Sequence, residues 1–172
     1  MKEFVLVFVC TGNICRSPMA EGIMKDMVID EVEKNHMVLP LIVASAGTHA
    51  VVGSSASRTA GKVSETHGIS LNFHRSKPIS ESIVRNADLI LTMEKNHTDY
   101  IKNRWPNSDH VFELKNFIRD EELPPGLTDV MDPIGLDVSV YSSVFDELNK
   151  ELNRVSAHIF SLVRKKLGTD FS

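Results

Sequence analysis

Residues 4–21, FVLVFVCTGNICRSPMAE, decide the fold. The apolar run from Phe4 to Val9 has no polar alternation, which is the pattern of a strand buried on both faces. It ends at Cys10, and Ser17-Pro18 downstream has the form of a helix start, with Ser as N-cap and Pro at the first helical position. Glu21 is expected to add negative charge in the first helical turn. A strand, a short loop and a helix N-terminus make a cradle for an anion. Successive backbone N–H groups face the hollow, and the helix dipole adds positive potential there.

The residues in the loop set its chemistry. Cys10 and Arg16 bracket Thr11, Gly12, Asn13, Ile14 and Cys15, and Ser17 follows. A thiol among inward-facing amides, beside a helix N-terminus and an arginine, favours the nucleophilic thiolate. Arg16 can grip two oxygens of a phosphoryl group at once. Gly12 is expected to permit a backbone turn that a Cβ would obstruct. Ser17 can cap the helix and donate a hydrogen bond to the sulfur when it leaves. Taken alone, Cys10 is equally a small core residue closing a strand. In this context the arrangement points to a catalytic loop.

Outward from the loop, the chain reads as one domain over residues 1–172. Its 172 residues suit a single core, with 42% hydrophobic and 24% charged residues. A net charge of −4 gives no general attraction to nucleic acid or anionic membranes. The two cysteines share one loop, so no disulfide framework exists and a reducing compartment, the cytoplasm, is expected. No apolar run approaches the length of a membrane span, and no signal-peptide pattern opens the chain. No zinc or other metal site is expected, since the histidines at 36, 49, 67, 97, 110 and 158 lack ligand spacing.

Helix is expected from Pro18 to Asn35, with Met19, Ile23, Met24, Met27 and Val28 as its core face. A strand follows at 41–44, ended by Ser45-Ala46-Gly47, then a small polar loop over 48–57. A helix over 56–67 closes on Gly68, and a shorter one begins at Ser80. Asp88 to Met93 and 111–114 read as strands, with a helix over 94–104 between them. Asp88 and Glu94 are expected only to cap or solvate the ends of their strand. Residues 119–139 form a long Asp-, Glu-, Pro- and Gly-rich loop, and such loops are usually functional. A last helix spans 141–166, with Val144, Leu148, Leu152, Val155, Ile159 and Val163 along one stripe. Strands alternating with helices imply an α/β fold, a parallel sheet with helices on both faces. Ligands in such sheets bind at the carboxyl ends of strands where the strand order reverses, and Cys10 ends the first strand.

The stretch VCTGNICRSPMAE resembles the active-site signature of the low-molecular-weight protein tyrosine phosphatases, and VMDPIG supplies the Asp-Pro pair that family uses as general acid, at Asp132-Pro133. The resemblance runs from about Lys2 to about Leu167. It implies a three-layer fold on a twisted sheet of four parallel strands, and phosphomonoester hydrolysis without metal or organic cofactor. Cys10 would attack phosphorus, the loop amides and Arg16 would hold the oxygens, and Asp132 would protonate the leaving group. It also implies that Asn13, Ser45 and His74 form a hydrogen-bond network shaping the loop. Cys15 has a redox reading, capture of an oxidised Cys10 as a disulfide, beside the plainer one of a packed loop residue.

The implied partner is a phosphorylated protein. Ile134-Gly135 after Asp-Pro, and a 48–53 segment with no aromatic except His49, depart from the aromatic walls usual in tyrosine-specific members. A branch of the family acting on protein arginine carries threonine at the position of Ile14. With Ile14, and SAG before its AVVG segment, the chain looks nearer to bacterial tyrosine phosphatases that act on tyrosine kinases of polysaccharide export. An arsenate reductase of the thioredoxin-coupled type would need further cysteines, and none follows Cys15. A non-catalytic phosphate-binding module would lack Cys10 or Asp132, and both are present.

Overall fold

A computed structural model describes residues 3–168. Four strands, β1 (Phe4–Cys10), β2 (Leu41–Gly47), β3 (Leu89–Thr92) and β4 (Val111–Glu113), form one all-parallel sheet in the order β2-β1-β3-β4. Five helices join them: α1 (Arg16–Asn35), α2 (Arg58–Thr66), α3 (Glu81–Asn86), α4 (Lys95–Arg104) and α5 (Val138–Leu167). The order reverses at β1, because β2 lies on one side of it and β3 on the other. Its carboxyl end, Cys10, is therefore the mouth of the sheet's crevice.

Alternation along β1 divides the core. Phe4, Leu6, Phe8 and Cys10 face one layer with Met19, Ile23 and Met24 of α1, Val63 of α2 and the stripe of α5. Val7 and Val9 face the other layer, with Val84 of α3, Ile90 of β3 and Ile101 of α4. Both faces are covered, so the central strands carry no polar alternation. The methionines of α1 pack in this core, Met19 and Met24 fully and Met27 at its edge.

Several boundaries differ from the sequence expectation, each for a local reason. α1 begins at Arg16 with Cys15 as its N-cap, so Ser17 is inside the helix and its hydroxyl turns toward Cys10. No acidic residue lies in that first turn; Glu21 sits further along and accepts from Ser45. β2 runs on through Gly47 because Ser45, Ala46 and Gly47 keep register with Phe8, Val9 and Cys10. α2 starts later than residue 56, with the Ser57 hydroxyl accepting from Ala60 N at 3.2 Å. α5 starts earlier than Tyr141, because Asp137 caps it by accepting from Ser139 N and Val140 N. The Ser139 hydroxyl and those backbone bonds hold the Asp137 carboxyl below its ordinary range.

Candidate active site

The phosphate-loop geometry follows from where its carbonyls go. Cys10 O accepts from Thr48 N at 3.0 Å and Thr11 O from His49 N at 2.9 Å. Asn13 O meets His74 Nε2 at 2.7 Å, and Ile14 O accepts from Ser57 N at 2.7 Å. In a trans peptide each carbonyl and the next N–H point opposite ways. Tying these carbonyls outward therefore turns the N–H groups of Thr11, Gly12, Ile14 and Cys15 toward the hollow. Asn13 N points at the Cys10 sulfur, 3.3 Å away.

Asn13 has φ of +54°, a left-handed position that asparagine tolerates better than a branched residue. Gly12 does not need its glycine for a turn: its φ is not positive, and an added Cβ would meet only the Ile14 side chain at 3.5 Å. The glycine the loop requires is Gly47, beside it in β2. A Cβ there would lie 2.5 Å from Thr11 O and 3.0 Å from Asn13 N.

Beneath the loop runs a directed chain of hydrogen bonds. Asn13 Nδ2 donates to Ser45 Oγ and to Ser17 Oγ, both at 2.9 Å, and its Oδ1 accepts from Lys77 N at 3.0 Å. The Ser45 hydroxyl in turn donates a hydrogen bond to Glu21 at 2.5 Å. Ser17 Oγ accepts from Asn13, so its one proton goes either to Cys10 Sγ, 2.9 Å away, or to the more distant Ala46 carbonyl at 3.5 Å. Cys10, Asn13, Arg16, Ser17 and Ser45 are all buried. Among the residues expected at the site, Asn13 thus touches both Ser45, through its side chain, and His74, through its carbonyl.

Arg16 is 1% exposed, yet its guanidinium reaches three acceptors. It bonds Glu94 and, at 2.8 Å, the carbonyl of Val130, and lies 3.1 Å from Asp132 Oδ2. Two carboxylates and a carbonyl offset the desolvation of a charge that would otherwise be costly to bury. Asp132 stays 40% exposed on its long loop, one face on the arginine and one on solvent. Glu94 is therefore more than a strand-end cap: it holds the Arg16 guanidinium. The sequence carried a usable signal, since Glu94 is the first charged residue past the carboxyl end of a strand next to β1.

Cys15 turns toward α2 and α5, its Sγ 3.4 Å from Ser57 Oγ and 3.3 Å from the Tyr141 hydroxyl. Burial pushes both the Cys15 thiol and the Tyr141 hydroxyl above their ordinary pKa values. Ile14 is half-buried in the loop wall. The flanking loops expose aliphatic side chains, Val51 and Val52 on one side and Met131 and Ile134 around Asp132 on the other. Among the described residues no three His, Cys, Asp or Glu side chains cluster as metal ligands, and no helix is long and apolar enough to cross a membrane.

A cysteine and an arginine in one loop at a sheet's switch point, with an Asp-Pro carboxylate beside the arginine, form an arrangement that fits a phosphatase class. The chain belongs to the low molecular weight phosphotyrosine protein phosphatase family, whose model matches residues 5–166. It is 34% identical over 155 residues to a protein-arginine-phosphatase of Bacillus subtilis, covering 90% of this chain and 95% of that protein. It is 30% identical over 143 residues to the low molecular weight protein-tyrosine-phosphatase PtpB of Staphylococcus haemolyticus, covering 83% and 91%. Among solved structures, a low molecular weight protein tyrosine phosphatase from T. tengcongensis superposes with a TM-score of 0.77 at 32% identity, covering 91% of this chain and 99% of that one.

Proposed function

We propose that the protein hydrolyses phosphotyrosine in proteins through a cysteinyl-phosphate intermediate. The observation that carries the reading is the meeting of three groups: Cys10 Sγ under the loop amides, the Ser17 hydroxyl on that sulfur, and Arg16 beside Asp132. In the first step the Cys10 thiolate attacks phosphorus and the P–O bond to the substrate breaks. Asp132 gives its proton to the departing oxygen. Loop amides and Arg16 hold the three remaining oxygens, for which a guanidinium fork is well shaped. In the second step Asp132 takes a proton from water as that water attacks phosphorus. The S–P bond breaks, phosphate leaves, and the Ser17 O–H stabilises the sulfur anion.

Asn13, Ser45 and His74 serve as positioning residues in this reading. Reduced Cys10 is a requirement of the chemistry, and it suits the cytoplasm. The substrate class is a phosphorylated protein, and the resemblance to phosphatases of polysaccharide export suggests a bacterial tyrosine kinase as the partner. Tyrosine is favoured because Ile14 and the aliphatic residues on the flanking loops offer contact to an aryl ring and nothing polar to a guanidinium.

A second reading, hydrolysis of phosphoarginine, draws support from the 34% identity to the Bacillus subtilis arginine phosphatase. Phosphate release from matched phosphotyrosine, phosphoarginine and phosphoserine peptides separates them. We expect phosphotyrosine to be fastest and phosphoserine poor, its short stem leaving phosphate above the loop floor. Faster release from phosphoarginine would replace the first reading by the second.

A further inference from the structure

The first turn of α4 touches the site three times. Glu94, its N-cap residue, turns its carboxylate to Arg16 rather than to its own helix. The helix end is capped from outside instead: Lys95 N donates to Asp129 Oδ1 at 2.9 Å, on the loop that carries Asp132. The third contact is His97, whose Nε2 lies 2.9 Å from Thr11 Oγ1. Thr11 directly follows the nucleophile, and its side chain is exposed while His97 is 3% exposed. One helical turn thus grips both ends of the phosphate loop, Arg16 through Glu94 and Thr11 through His97.

His97 is an expensive residue to bury for packing alone. Its Nδ1 is buried with no hydrogen-bond partner among the described residues, so the ring keeps a polar atom unsatisfied. Burial above all, with the Arg16 charge adding to it, lowers the imidazole to about 4 against the pull of Glu94, Asp129 and Asp132. The ring is neutral at neutral pH and has one proton to place. On Nδ1 that proton would be an N–H donor without an acceptor; on Nε2 it is donated to Thr11.

We propose that His97 is a positioning residue for the phosphatase reaction: its Nε2–H holds the Thr11 hydroxyl, and through it the nucleophile end of the phosphate loop. Thr11 has its carbonyl fixed by His49 N and its N–H aimed into the hollow, so its side chain is the last free handle on that peptide. With His97 as donor, the Thr11 hydroxyl keeps its own proton to offer toward the pocket mouth. The inference rests on the phosphatase reading for its kinetic consequence but not for its structural one.

The experiment has two arms. In the kinetic arm, His97→Leu and Thr11→Val should each lower kcat about tenfold, the scale of one lost hydrogen bond, with KM within about twofold. The double variant should be no worse than either single one, because both remove the same bond. His97→Gln, whose amide donor reaches about as far as Nε2, should recover most of the activity. Additive losses, or full activity in Thr11→Val, would overturn the proposal and leave His97 a packing residue. The spectroscopic arm needs no turnover. Nitrogen-resolved NMR should show His97 as the Nε2–H tautomer, with a slowly exchanging ring proton that becomes fast in Thr11→Val. An Nδ1–H ring, or equal exchange in both proteins, would also overturn it. An inactive parent with the expected NMR result would count against the phosphatase reading alone.

Discussion

The two halves of the site are built in opposite ways. The loop over residues 10–16 is mostly buried and heavily tied: Asn13 and Arg16, with Ser17 just beyond, are each at most 1% exposed, and four loop carbonyls have partners outside the loop. The loop carrying Asp132 is sparsely tied. Met131 and Ile134, either side of the Asp-Pro pair, are 58% and 57% exposed. Its fastenings near Asp132 are Val130 N on Met93 O, the Val130 carbonyl on Arg16, Asp129 on Lys95 N and Lys115, and Asp132 on Arg16. Oxygens that develop charge need donors already in place, so rigidity serves the first region. If Asp132 is the proton donor proposed above, it must meet leaving groups of differing shape, and adjustable loop structure suits that role.

The comparison breaks most sharply at the nucleophile. Cys10→Ser should abolish measurable turnover while phosphate or vanadate still binds, because the amides and Arg16 remain. Arg16→Lys should be nearly as damaging: an ammonium supplies neither the fork nor the simultaneous grip on Glu94 and the Val130 carbonyl. Turnover of Cys10→Ser close to that of the parent would remove the covalent mechanism altogether.

On the sparsely tied side, Asp132→Asn should cost roughly 10²–10⁴-fold in kcat with leaving groups of high pKa. A very good leaving group needs less protonation, so its loss should be smaller. Steady-state rates across a series of aryl phosphates give the slope. A uniform loss along the series would mean that Asp132 acts only as an ion-pair partner of Arg16.

Gly47 tests the rigid half from outside. Gly47→Ala puts a Cβ 2.5 Å from a loop carbonyl, so either β2 or the phosphate loop must move. Overpacking of this kind costs about 1–3 kcal/mol, and each kcal/mol is about 2–4 °C in Tm for a chain of this size. Calorimetry and kcat together check it. Activity should fall along with Tm, since the atoms displaced, Thr11 O and Asn13 N, belong to the loop. A stable, fully active Gly47→Ala would show that the loop is more adjustable than its hydrogen bonds imply.

What the sequence made legible follows the same division. The loop from Cys10 to Arg16 is readable because its geometry is local: a strand, five residues and a helix start lie in one continuous stretch. Asp132 is singled out only by the resemblance, as its distance from Cys10 along the chain carries no local signal. Glu94, His97 and Gly47 were missed for a related reason. Each acts through a tertiary contact, Glu94 and His97 from the first turn of α4 and Gly47 from the neighbouring strand. Propensity cannot anticipate such contacts. Ser17 was misplaced as a cap because a serine before proline fits that pattern, whereas the pull of Asn13 and Cys10 on its hydroxyl is visible only in space. The late end of β2 was hidden likewise: Ser45-Ala46-Gly47 reads as a turn until its pairing with β1 is seen.

The smallest effect concerns the wall where the two halves meet the substrate. Ile14 lies in the rigid loop, half-buried, its backbone held by Ser57 N on its carbonyl. Its side chain can change without moving the loop amides. Ile14→Thr keeps the β-branch, so the backbone preference is retained, and replaces apolar contact by a hydroxyl. That hydroxyl can bond a phosphoguanidinium nitrogen or orient the attacking water, while an aryl ring loses part of its packing. An apolar pocket discriminates by only about 1–3 kcal/mol, so the phosphotyrosine preference should shrink by about tenfold or reverse. Paired kcat/KM values on phosphotyrosine and phosphoarginine peptides measure it. If the ratio does not change, substrate choice lies with the exposed aliphatic residues of the flanking loops. Met131→Ser and Ile134→Ser would then be the variants to shift it.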